Sequence, residues 1–397
     1  MDFQELKALD DQYVMHTYGR FPVDVDHGEN ATLYDALGRS YIDFSSGIGV
    51  NSLGFCDEGW AAAVAKQAAT LQHISNLYYT APMVKVAKTL CERTFADKVF
   101  FCNSGAEANE GMIKTARKYS FDKYGRGRHK IVALENSFHG RTVTTLSATG
   151  QEVFHRYFDP FTDGFSFVRA GDIAALERAA DGETCGILLE LIQGEGGVVP
   201  LDREFVDAAA RICKERDILL MADEVQTGIG RTGKLLCCEH YGITPDLVSL
   251  AKGLGGGLPL GAVLFGEKCA HTLGAGDHAT TFGGNPVACA GALEVLGRID
   301  EKLLAEVAEK GAYITRAVER MPHVVSVEGK GLMLGVTLEG VNSREAAAAC
   351  LEKGLIILTA KAKLRMLPPL TITYPEIDEG LKRLKEVLEH ESSAETA

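Results

Sequence analysis

A lysine and an aspartate stand out in this sequence because each lies at the end of a short apolar run. Lys252 follows such a run and precedes the glycine-rich turn 253–257. Burial there would disfavour its ammonium form, and a neutral amine forms Schiff bases with aldehydes. Asp223 ends the apolar run 218–222. Binding pyridoxal phosphate for catalysis requires at least an aspartate that pairs with the pyridinium nitrogen and a lysine that forms an imine with the aldehyde. For Lys252 taken alone, an exposed or salt-bridged lysine is the alternative.

A candidate phosphate site follows the apolar run 98–102. Ser104 and Glu107 have the spacing of a capping box, which predicts that a helix begins there. Gly105 and Ala106 would leave their N–H groups uncrowded at the positive end of that helix, where phosphate binds well. A well-capped helix without a ligand is the alternative.

Two further segments carry side chains that suit an aromatic, phosphorylated cofactor. Phe138 could lie flat on a ring, and Arg141 could hold a carboxylate with its fork of donors. A core phenylalanine beside a surface arginine is the alternative for this pair. The hydroxyl of Thr281 could donate to phosphate, with a plain turn residue as the alternative.

The glycines of 228–233 match a dinucleotide-binding pattern, and with Lys234 they nearly match a phosphate-binding loop. Leu235, however, stands where that loop needs Ser or Thr for magnesium. A dinucleotide site also needs the glycines to turn directly from a strand into a helix. A nucleotide-binding oxidoreductase is therefore a distant alternative, and it would leave Lys252 and Asp223 unexplained.

Composition limits the class of protein and its partners. The chain has 397 residues, 46% hydrophobic and 24% charged, enough for a large core and two domains. Its net charge of −13 argues against nucleic acid or acidic membranes as partners. Ten cysteines without a CxxC or Cys/His cluster argue against a metal site and a disulfide framework. Reduced thiols and the lack of a visible signal peptide or apolar span predict a cytoplasmic protein.

Apolar strands alternate with helices from about residue 59 to 295, which predicts an α/β fold with a mostly parallel central sheet flanked by helices. The chain ends carry short strands and amphipathic helices, which predicts a smaller α+β domain built from both ends. We expect 1–55 to form an N-terminal arm and part of the small domain, 56–295 the large cofactor-binding domain, and 296–397 the rest of the small domain. Predicted strands include 98–102, 130–134, 185–190 and 217–221, with a helix over 203–215.

Together these residues resemble the class III (ω-type) aminotransferases of pyridoxal phosphate fold type I. The resemblance covers nearly the whole chain and is carried by the strings ADEVQTGxGRTG, AKGLGGG and TFGGNP. It implies that Lys252 forms the Schiff base and moves a proton between substrate and cofactor, while Asp223 keeps the pyridine nitrogen protonated. It also implies that Val225 packs behind the ring, Gln226 contacts the phenolic oxygen and Phe138 covers the other face.

For the phosphate, the resemblance implies that Gly105 and Ala106 bind it within one subunit. Thr281 matches a residue that completes the phosphate site of the neighbouring subunit. A homodimer with shared active sites is therefore expected, which a twofold interface permits. A non-catalytic regulator that binds the cofactor is a further alternative, but it would need an added DNA-binding domain for which the chain has no room.

For the substrates, the resemblance implies that Arg141 holds the donor's α-carboxylate and so presents its terminal amine. Arg365 matches the arginine that receives the α-carboxylate of glutamate. Glu195 matches a gate that neutralises Arg365 while the donor is bound, since an uncompensated buried guanidinium is costly. Tyr18 and Thr280 align with further substrate contacts.

The expected reaction is transamination of N2-acetylornithine with 2-oxoglutarate, giving N-acetylglutamate 5-semialdehyde and glutamate. Relatives acting on ornithine usually carry a tyrosine in the segment matching 45–49, where this chain has Gly47, and glycine leaves space for an N-acyl group. Ornithine, succinyl-diaminopimelate and 4-aminobutyrate remain alternative donors within the family. Leu191 and the segment 55–58 depart from the family pattern, but neither belongs to the cofactor set.

Overall fold

Helices and strands alternate along the computed structural model, which describes residues 1–394. Short 3-10 helices lie at Glu152–Phe154, Cys237–His240 and Lys252–Leu254. The α-helices are α1 (Phe3–Tyr13), α2 (Ser46–Gly49), α3 (Glu58–Thr70), α4 (Ala81–Arg93), α5 (Gly105–Tyr124), α6 (Val143–Ser147), α7 (Ile173–Ala179), α8 (Arg203–Arg216), α9 (Pro286–Arg298), α10 (Glu301–Val318), α11 (Ser343–Glu352) and α12 (Tyr374–Ala394). The strands are β1 (Val25–Glu29), β2 (Thr32–Asp35), β3 (Ser40–Asp43), β4 (Lys98–Cys102), β5 (Lys130–Leu134), β6 (Phe165–Val168), β7 (Thr184–Leu189), β8 (Ile192–Gln193), β9 (Val199–Pro200), β10 (Leu219–Asp223), β11 (Leu247–Leu250), β12 (Gly261–Phe265), β13 (Val324–Lys330), β14 (Met333–Leu338), β15 (Leu355–Ile356), β16 (Leu358–Ala360) and β17 (Lys363–Met366).

A seven-stranded sheet of order β4-β12-β11-β10-β7-β5-β6 forms the centre of the fold. The pairs β11–β10, β10–β7, β7–β5 and β5–β6 are parallel. Strand β12 runs antiparallel to both of its neighbours, β11 and β4. Strands β7, β10, β11 and β12 are buried at every position, as expected for a sheet covered on both faces. The predicted mostly parallel sheet is confirmed.

The predicted strand at 217–221 begins two residues too early. Helix α8 continues to Arg216, and Asp217 ends it in the left-handed conformation, with φ +52° and its N–H bonded to the carbonyl of Cys213. This cap breaks the extended backbone that the apolar run alone would favour. The strand therefore starts at Leu219 and reaches Asp223.

Two four-stranded sheets are built from the ends of the chain, and one of them combines strands from both ends. One has the order β1-β2-β3-β15, in which Leu355 of β15 pairs in parallel with Ile42 of β3. The other has the order β13-β14-β17-β16. Strands from both ends of the chain therefore share one sheet, whereas the expected division into domains stays a prediction.

The topology brings the predicted site residues to one edge of the central sheet. Asp223 ends β10, Lys252 follows β11, and the segment with Phe138 follows β5. Strand β4 has the same direction as these strands, so α5 also begins at that edge. Carboxyl ends of parallel strands are where open α/β sheets bind ligands. Among residues 1–394, no helix combines the length and apolar character that crossing a membrane requires.

Candidate active site

A cavity of about 430 Å³ opens at the carboxyl edge of the central sheet. Its walls come from the loops after β4, β5, β10 and β11 and from the first turn of α5. Predicted site residues that line it are Gly105, Ala106, Phe138, Arg141, Asp223, Val225, Gln226 and Lys252.

The first turn of α5 is capped as predicted, but by a different pattern of bonds. The Ser104 hydroxyl accepts the N–H of Glu107 at 3.2 Å, which confirms the predicted helix start. The Glu107 carboxylate accepts from the backbone N–H of Asn103 at 2.5 Å and from its side-chain amide at 2.8 Å. Glu107 therefore bonds to Asn103, the residue before the N-cap, and not to the N-cap residue Ser104 as in a capping box.

The N–H groups of Gly105 and Ala106 have no hydrogen-bond acceptor within residues 1–394. They lie at the positive end of a 20-residue helix, so they can bind an anion. A Cβ on Gly105 would lie 2.7 Å from a methyl carbon of Val225. Glycine is thus required here for the helix start to approach the residue after Asp223.

Asp223 is buried and accepts three hydrogen bonds. Its Oδ2 lies 2.8 Å from His139 Nδ1 and 2.7 Å from Asn109 Nδ2, and its Oδ1 accepts the N–H of Val225 at 3.0 Å. Burial by itself would raise the Asp223 pKa. The hydrogen bond and charge of His139, with the hydrogen bonds from Val225 and Asn109, outweigh burial and lower the Asp223 pKa below its ordinary value. Asp223 is therefore a fixed negative charge at the base of the cavity, suited to a protonated ring nitrogen.

Lys252 lies beside this carboxylate in the left-handed backbone region, with φ +41°. A non-glycine residue in that conformation is strained and persists only where its surroundings hold it. Its Nζ makes no hydrogen bond or ion pair with any described residue of the chain. Burial lowers the Lys252 pKa; Glu195 opposes this effect and Arg365 adds to it. The site thus favours the neutral amine that the sequence predicted.

Arg365 and Glu195 form an ion pair next to the cavity. Arg365 Nη1 lies 2.5 Å from Glu195 Oε1 and 3.4 Å from the amide oxygen of Gln226, which lines the cavity. The Arg365 side chain is 4% exposed, whereas that of Glu195 is 29% exposed. Burial raises the pKa of Glu195, but Arg365 outweighs burial and holds it below its ordinary value. Both groups are therefore charged and neutralise each other.

Arg141 is an exposed cation on the cavity wall. Its guanidinium lies 4.1 Å from the ring centroid of Phe154 and 5.5 Å from that of Phe138. It forms no ion pair with any acid in the part of the chain that the structure describes. Stacking holds the side chain and leaves its donors free for a carboxylate.

The structure does not bring Tyr18, Thr280 and Thr281 to the cavity of their own chain. Tyr18 is 75% exposed. Thr280 touches the cavity indirectly, because its hydroxyl accepts from the side-chain amide of Asn103 at 3.0 Å. Thr281 lines a separate groove. Their roles stay predictions.

Sequence reasoning missed Asn109, His139 and Glu190, which all line the cavity. His139 directly follows Phe138, and Asn109 lies one helical turn after Gly105, so both positions carried a weak local signal. Glu190 directly follows β7, and burial raises its pKa to about 7. Nothing local distinguished it from other acids at strand ends.

The loop of glycines 228–233 has a structural role that differs from nucleotide binding. It leads into the 3-10 helix Cys237–His240 and not into an α-helix. Arg231 is 2% exposed and lies near the buried carboxylate of Asp43. Its guanidinium donates to the carbonyl of Leu332 at 3.1 Å and to the carbonyl of Pro368. Burial lowers the pKa of Arg231 to about 9 and raises that of Asp43 to about 6. This loop therefore joins the central sheet to the smaller sheets.

The cavity fits pyridoxal phosphate on three counts. Free N–H groups at a glycine start of a helix suit the phosphate, the charged Asp223 suits the pyridine nitrogen, and the lysine amine suits the aldehyde. The fold and this set of side chains define a pyridoxal phosphate enzyme of fold type I.

Sequence comparison identifies the family. The model of the family described as Aminotransferase class-III matches residues 13–388. The chain therefore belongs to the class III aminotransferases, and the resemblance drawn from the sequence is confirmed. It is a transferase with pyridoxal phosphate as its cofactor.

Individual relatives and solved structures agree with this family. The chain is 49% identical to an acetylornithine aminotransferase of Haemophilus ducreyi over 98% of its own length and 99% of that protein. It is 45% identical to one of Methanocaldococcus jannaschii, over 96% of each chain. The ornithine aminotransferase structure of Toxoplasma gondii has a TM-score of 0.95 at 31% identity, covering 99% of this chain and 96% of that one. The N-acetylornithine aminotransferase structure of Stenotrophomonas maltophilia has a TM-score of 0.84 at 34% identity, covering 98% and 99%.

Proposed function

We propose that this enzyme transfers the terminal amino group of N2-acetylornithine to 2-oxoglutarate, giving N-acetylglutamate 5-semialdehyde and glutamate. In this reaction the donor has one carboxylate and 2-oxoglutarate has two. The arrangement of charged side chains at the cavity is the observation that supports such a reaction. Arg141 is unpaired within residues 1–394, whereas Arg365 is paired with Glu195 at 2.5 Å. One cation is thus always available, and the second becomes available when Glu195 moves away.

The donor is supported by the relatives. Eight acetylornithine aminotransferases are 42–49% identical to this chain over 95–98% of its length. Among solved structures, ornithine aminotransferases share 30–31% with it and acetylornithine aminotransferases share 31–34%. Ornithine is the second candidate donor, since two of the ornithine aminotransferase structures have a TM-score of 0.95.

When bound, pyridoxal phosphate supplies an aldehyde for the amino group and a ring that accepts electrons. The N–H groups of Gly105 and Ala106 would hold its phosphate, and Asp223 would keep a proton on the ring nitrogen. Phe138 and Val225 would enclose the ring and exclude water, which strengthens the electrostatic interactions of Asp223.

Lys252 Nζ is the group that moves protons in this proposal. Burial lowers its pKa and so favours the neutral amine, the form that can remove a proton from the terminal carbon of the donor. The resulting ammonium would deliver that proton to the former aldehyde carbon of the cofactor, which keeps the transferred amino group. Glu195 and Asp223 lie near enough to favour that ammonium form transiently.

Arg141 and the pair of Arg365 with Glu195 select the substrate in each half-reaction. With the acetylated donor, Arg141 binds its single carboxylate and Glu195 stays on Arg365. With glutamate or 2-oxoglutarate, a substrate carboxylate replaces Glu195 on Arg365. The buried guanidinium is neutralised in both cases, which avoids the large cost of an unpaired buried charge.

A homodimer and a cytoplasmic location belong to the same proposal. Thr281 lies outside the cavity of its own chain, beside exposed apolar residues such as Leu77 and Phe282, which are 88% and 61% exposed. An interface through this surface would let Thr281 complete the other subunit's phosphate site. Eight of the cysteines are buried free thiols, which suits a reducing compartment.

The test is a half-reaction followed by the visible absorption of the bound cofactor. Purified enzyme is mixed with one donor and no keto acid, in parallel for N2-acetylornithine, ornithine, succinyl-diaminopimelate and 4-aminobutyrate. We expect the fastest loss of absorption with N2-acetylornithine. Faster loss with another donor would reassign the substrate. Recovery of absorption on adding 2-oxoglutarate tests the second half-reaction.

A further inference from the structure

Glu190 joins two walls of the cavity through its two carboxylate oxygens. It directly follows β7 and is 6% exposed. Its Oε2 accepts the backbone N–H of Phe138 at 2.9 Å, and its Oε1 accepts the backbone N–H of Gly194 at 3.2 Å. One buried side chain therefore ties the segment of Phe138 to the segment that contains Glu195.

Gly194 starts a tight turn that carries Glu195. The turn connects β8 and β9, which pair antiparallel. A Cβ on Gly194 would lie 2.6 Å from the side-chain amide of Gln226, so the turn packs directly on a cavity residue. The position of the Gly194 backbone thus bears directly on the placement of the Glu195 side chain.

The far side of the same turn packs on the strands that carry Arg365. A Cβ on Gly335 would lie 2.8 Å from Cβ of Val198, which ends the turn. Gly335 is the cross-strand partner of Arg365 in the β14–β17 pair. The turn is therefore held at Val198 by the Arg365 strands and at Gly194 by Glu190.

We propose that Glu190 is a positioning residue that holds the Gly194 turn so that Glu195 reaches Arg365, and that it thereby sets the preference between substrates with one and two carboxylates. The inference rests on the proposed function, because it assigns Glu195 and Arg365 to substrate selection. In this proposal Glu190 acts through Glu195.

The residue type follows from the two hydrogen bonds. Both N–H groups are donors, and a carboxylate can accept from both with different oxygens. A glutamine has the same shape but only one acceptor oxygen, so its amide would face the other N–H donor to donor. Loss of one such bond in a buried site changes an equilibrium by about three- to thirtyfold.

The first test is Glu190→Gln in the cofactor-loaded enzyme, read by affinity for glutarate. Glutarate is an unreactive dicarboxylate that must displace Glu195 from Arg365. We expect glutarate to bind about three- to thirtyfold more tightly by calorimetry, since Glu195 is held less well. The ratio of kcat/KM for the donor to kcat/KM for glutamate should fall by a similar factor.

Glu224→Gln is the matched control. Glu224 is also a buried carboxylate that accepts two backbone N–H groups, from Cys237 at 2.5 Å and Cys238 at 2.8 Å. Burial raises its pKa to about 7, as it does for Glu190. It does not line the cavity, so its variant should lower the melting temperature and leave the glutarate affinity and the ratio unchanged.

The decisive measurement is a double-mutant cycle with Glu195→Gln. If Glu190 acts through Glu195, Glu190→Gln should change neither glutarate affinity nor the ratio further in the Glu195→Gln background. Equal effects in both backgrounds, or equal effects of Glu224→Gln, would overturn the proposal. If Glu190→Gln does not fold, Glu190→Asp enters the same cycle, because the shorter side chain cannot reach both N–H groups.

Failure of this inference is distinguishable from failure of the proposed function. Glutarate affinity does not depend on which amine is the donor, and the donor panel with unmodified enzyme tests that identity separately. If the panel identifies another donor but Glu190→Gln has no further effect in the Glu195→Gln background, the role of Glu190 is kept. If the panel confirms N2-acetylornithine but the effects of the two substitutions add, the role of Glu190 is refuted.

Discussion

Replacing Glu195 by glutamine removes the charge that neutralises Arg365. Arg365 is 4% exposed and its Nη1 lies 2.5 Å from Glu195, so the pair is close and largely desolvated on the arginine side. Removing one partner of a fully buried pair costs about 3–5 kcal/mol. Because 29% of the Glu195 side chain is exposed, water replaces part of the lost interaction. We expect about 2 kcal/mol, or roughly thirtyfold in rate.

The loss should fall on one half-reaction only. The bound acetylated donor would displace the water that solvates Arg365 in the free variant and would bring no counter-charge, so kcat/KM for that donor should fall roughly thirtyfold. With glutamate, the substrate carboxylate neutralises Arg365 itself, so kcat/KM should stay the same or rise. Stopped-flow absorbance of the bound cofactor measures both half-reactions in the same preparation.

Glu328→Gln is the control for loss of an ion pair in the same sheet. Glu328 forms an ion pair at 2.7 Å with Lys363. Lys363 lies on β17, two residues before Arg365. Its variant should leave both half-reactions unchanged. Equal losses in the two half-reactions of Glu195→Gln, or no loss in either, would refute the assignment of Glu195 as the group that neutralises Arg365.

Three further predictions follow from the geometry. Gly105→Ala places a Cβ 2.7 Å from Val225, so cofactor affinity by calorimetry should fall about tenfold, whereas Gly297→Ala, with open space around it, should have no effect. Arg231→Met removes a buried guanidinium and leaves its carboxylate neighbour uncompensated, so the free energy of unfolding should drop by about 3–5 kcal/mol in denaturant titrations. Because burial lowers the Lys252 pKa, the rate at which apoenzyme reacts with pyridoxal phosphate should reach its plateau below the pH at which free lysine does; a plateau at the same pH would contradict the neutral amine.

The candidate site residues could be located in the sequence because each one lies at the end of a local pattern. Lys252 and Asp223 each end an apolar run, and Ser104 starts a helix by its own capping bond. In a mostly parallel sheet, such strand ends meet at one edge. Local patterns therefore determined the class of fold and the candidates for the residues that bind the cofactor.

Tertiary structure decided what surrounds these residues, because no local pattern encodes contacts between distant segments. Asn109 reaches Asp223 across 114 positions, and Arg365 reaches Glu195 across 170. The start of β10 was also decided outside its apolar run, by the left-handed cap at Asp217.

The contacts of Glu190 illustrate the same division. Its position at the end of a strand follows from the sequence, but its two acceptor bonds depend on where β5 and the Gly194 turn come to lie. An apolar run determines that a strand forms and where it ends. Which donors a buried carboxylate meets there depends on strand order and loop packing, which only the assembled sheet defines.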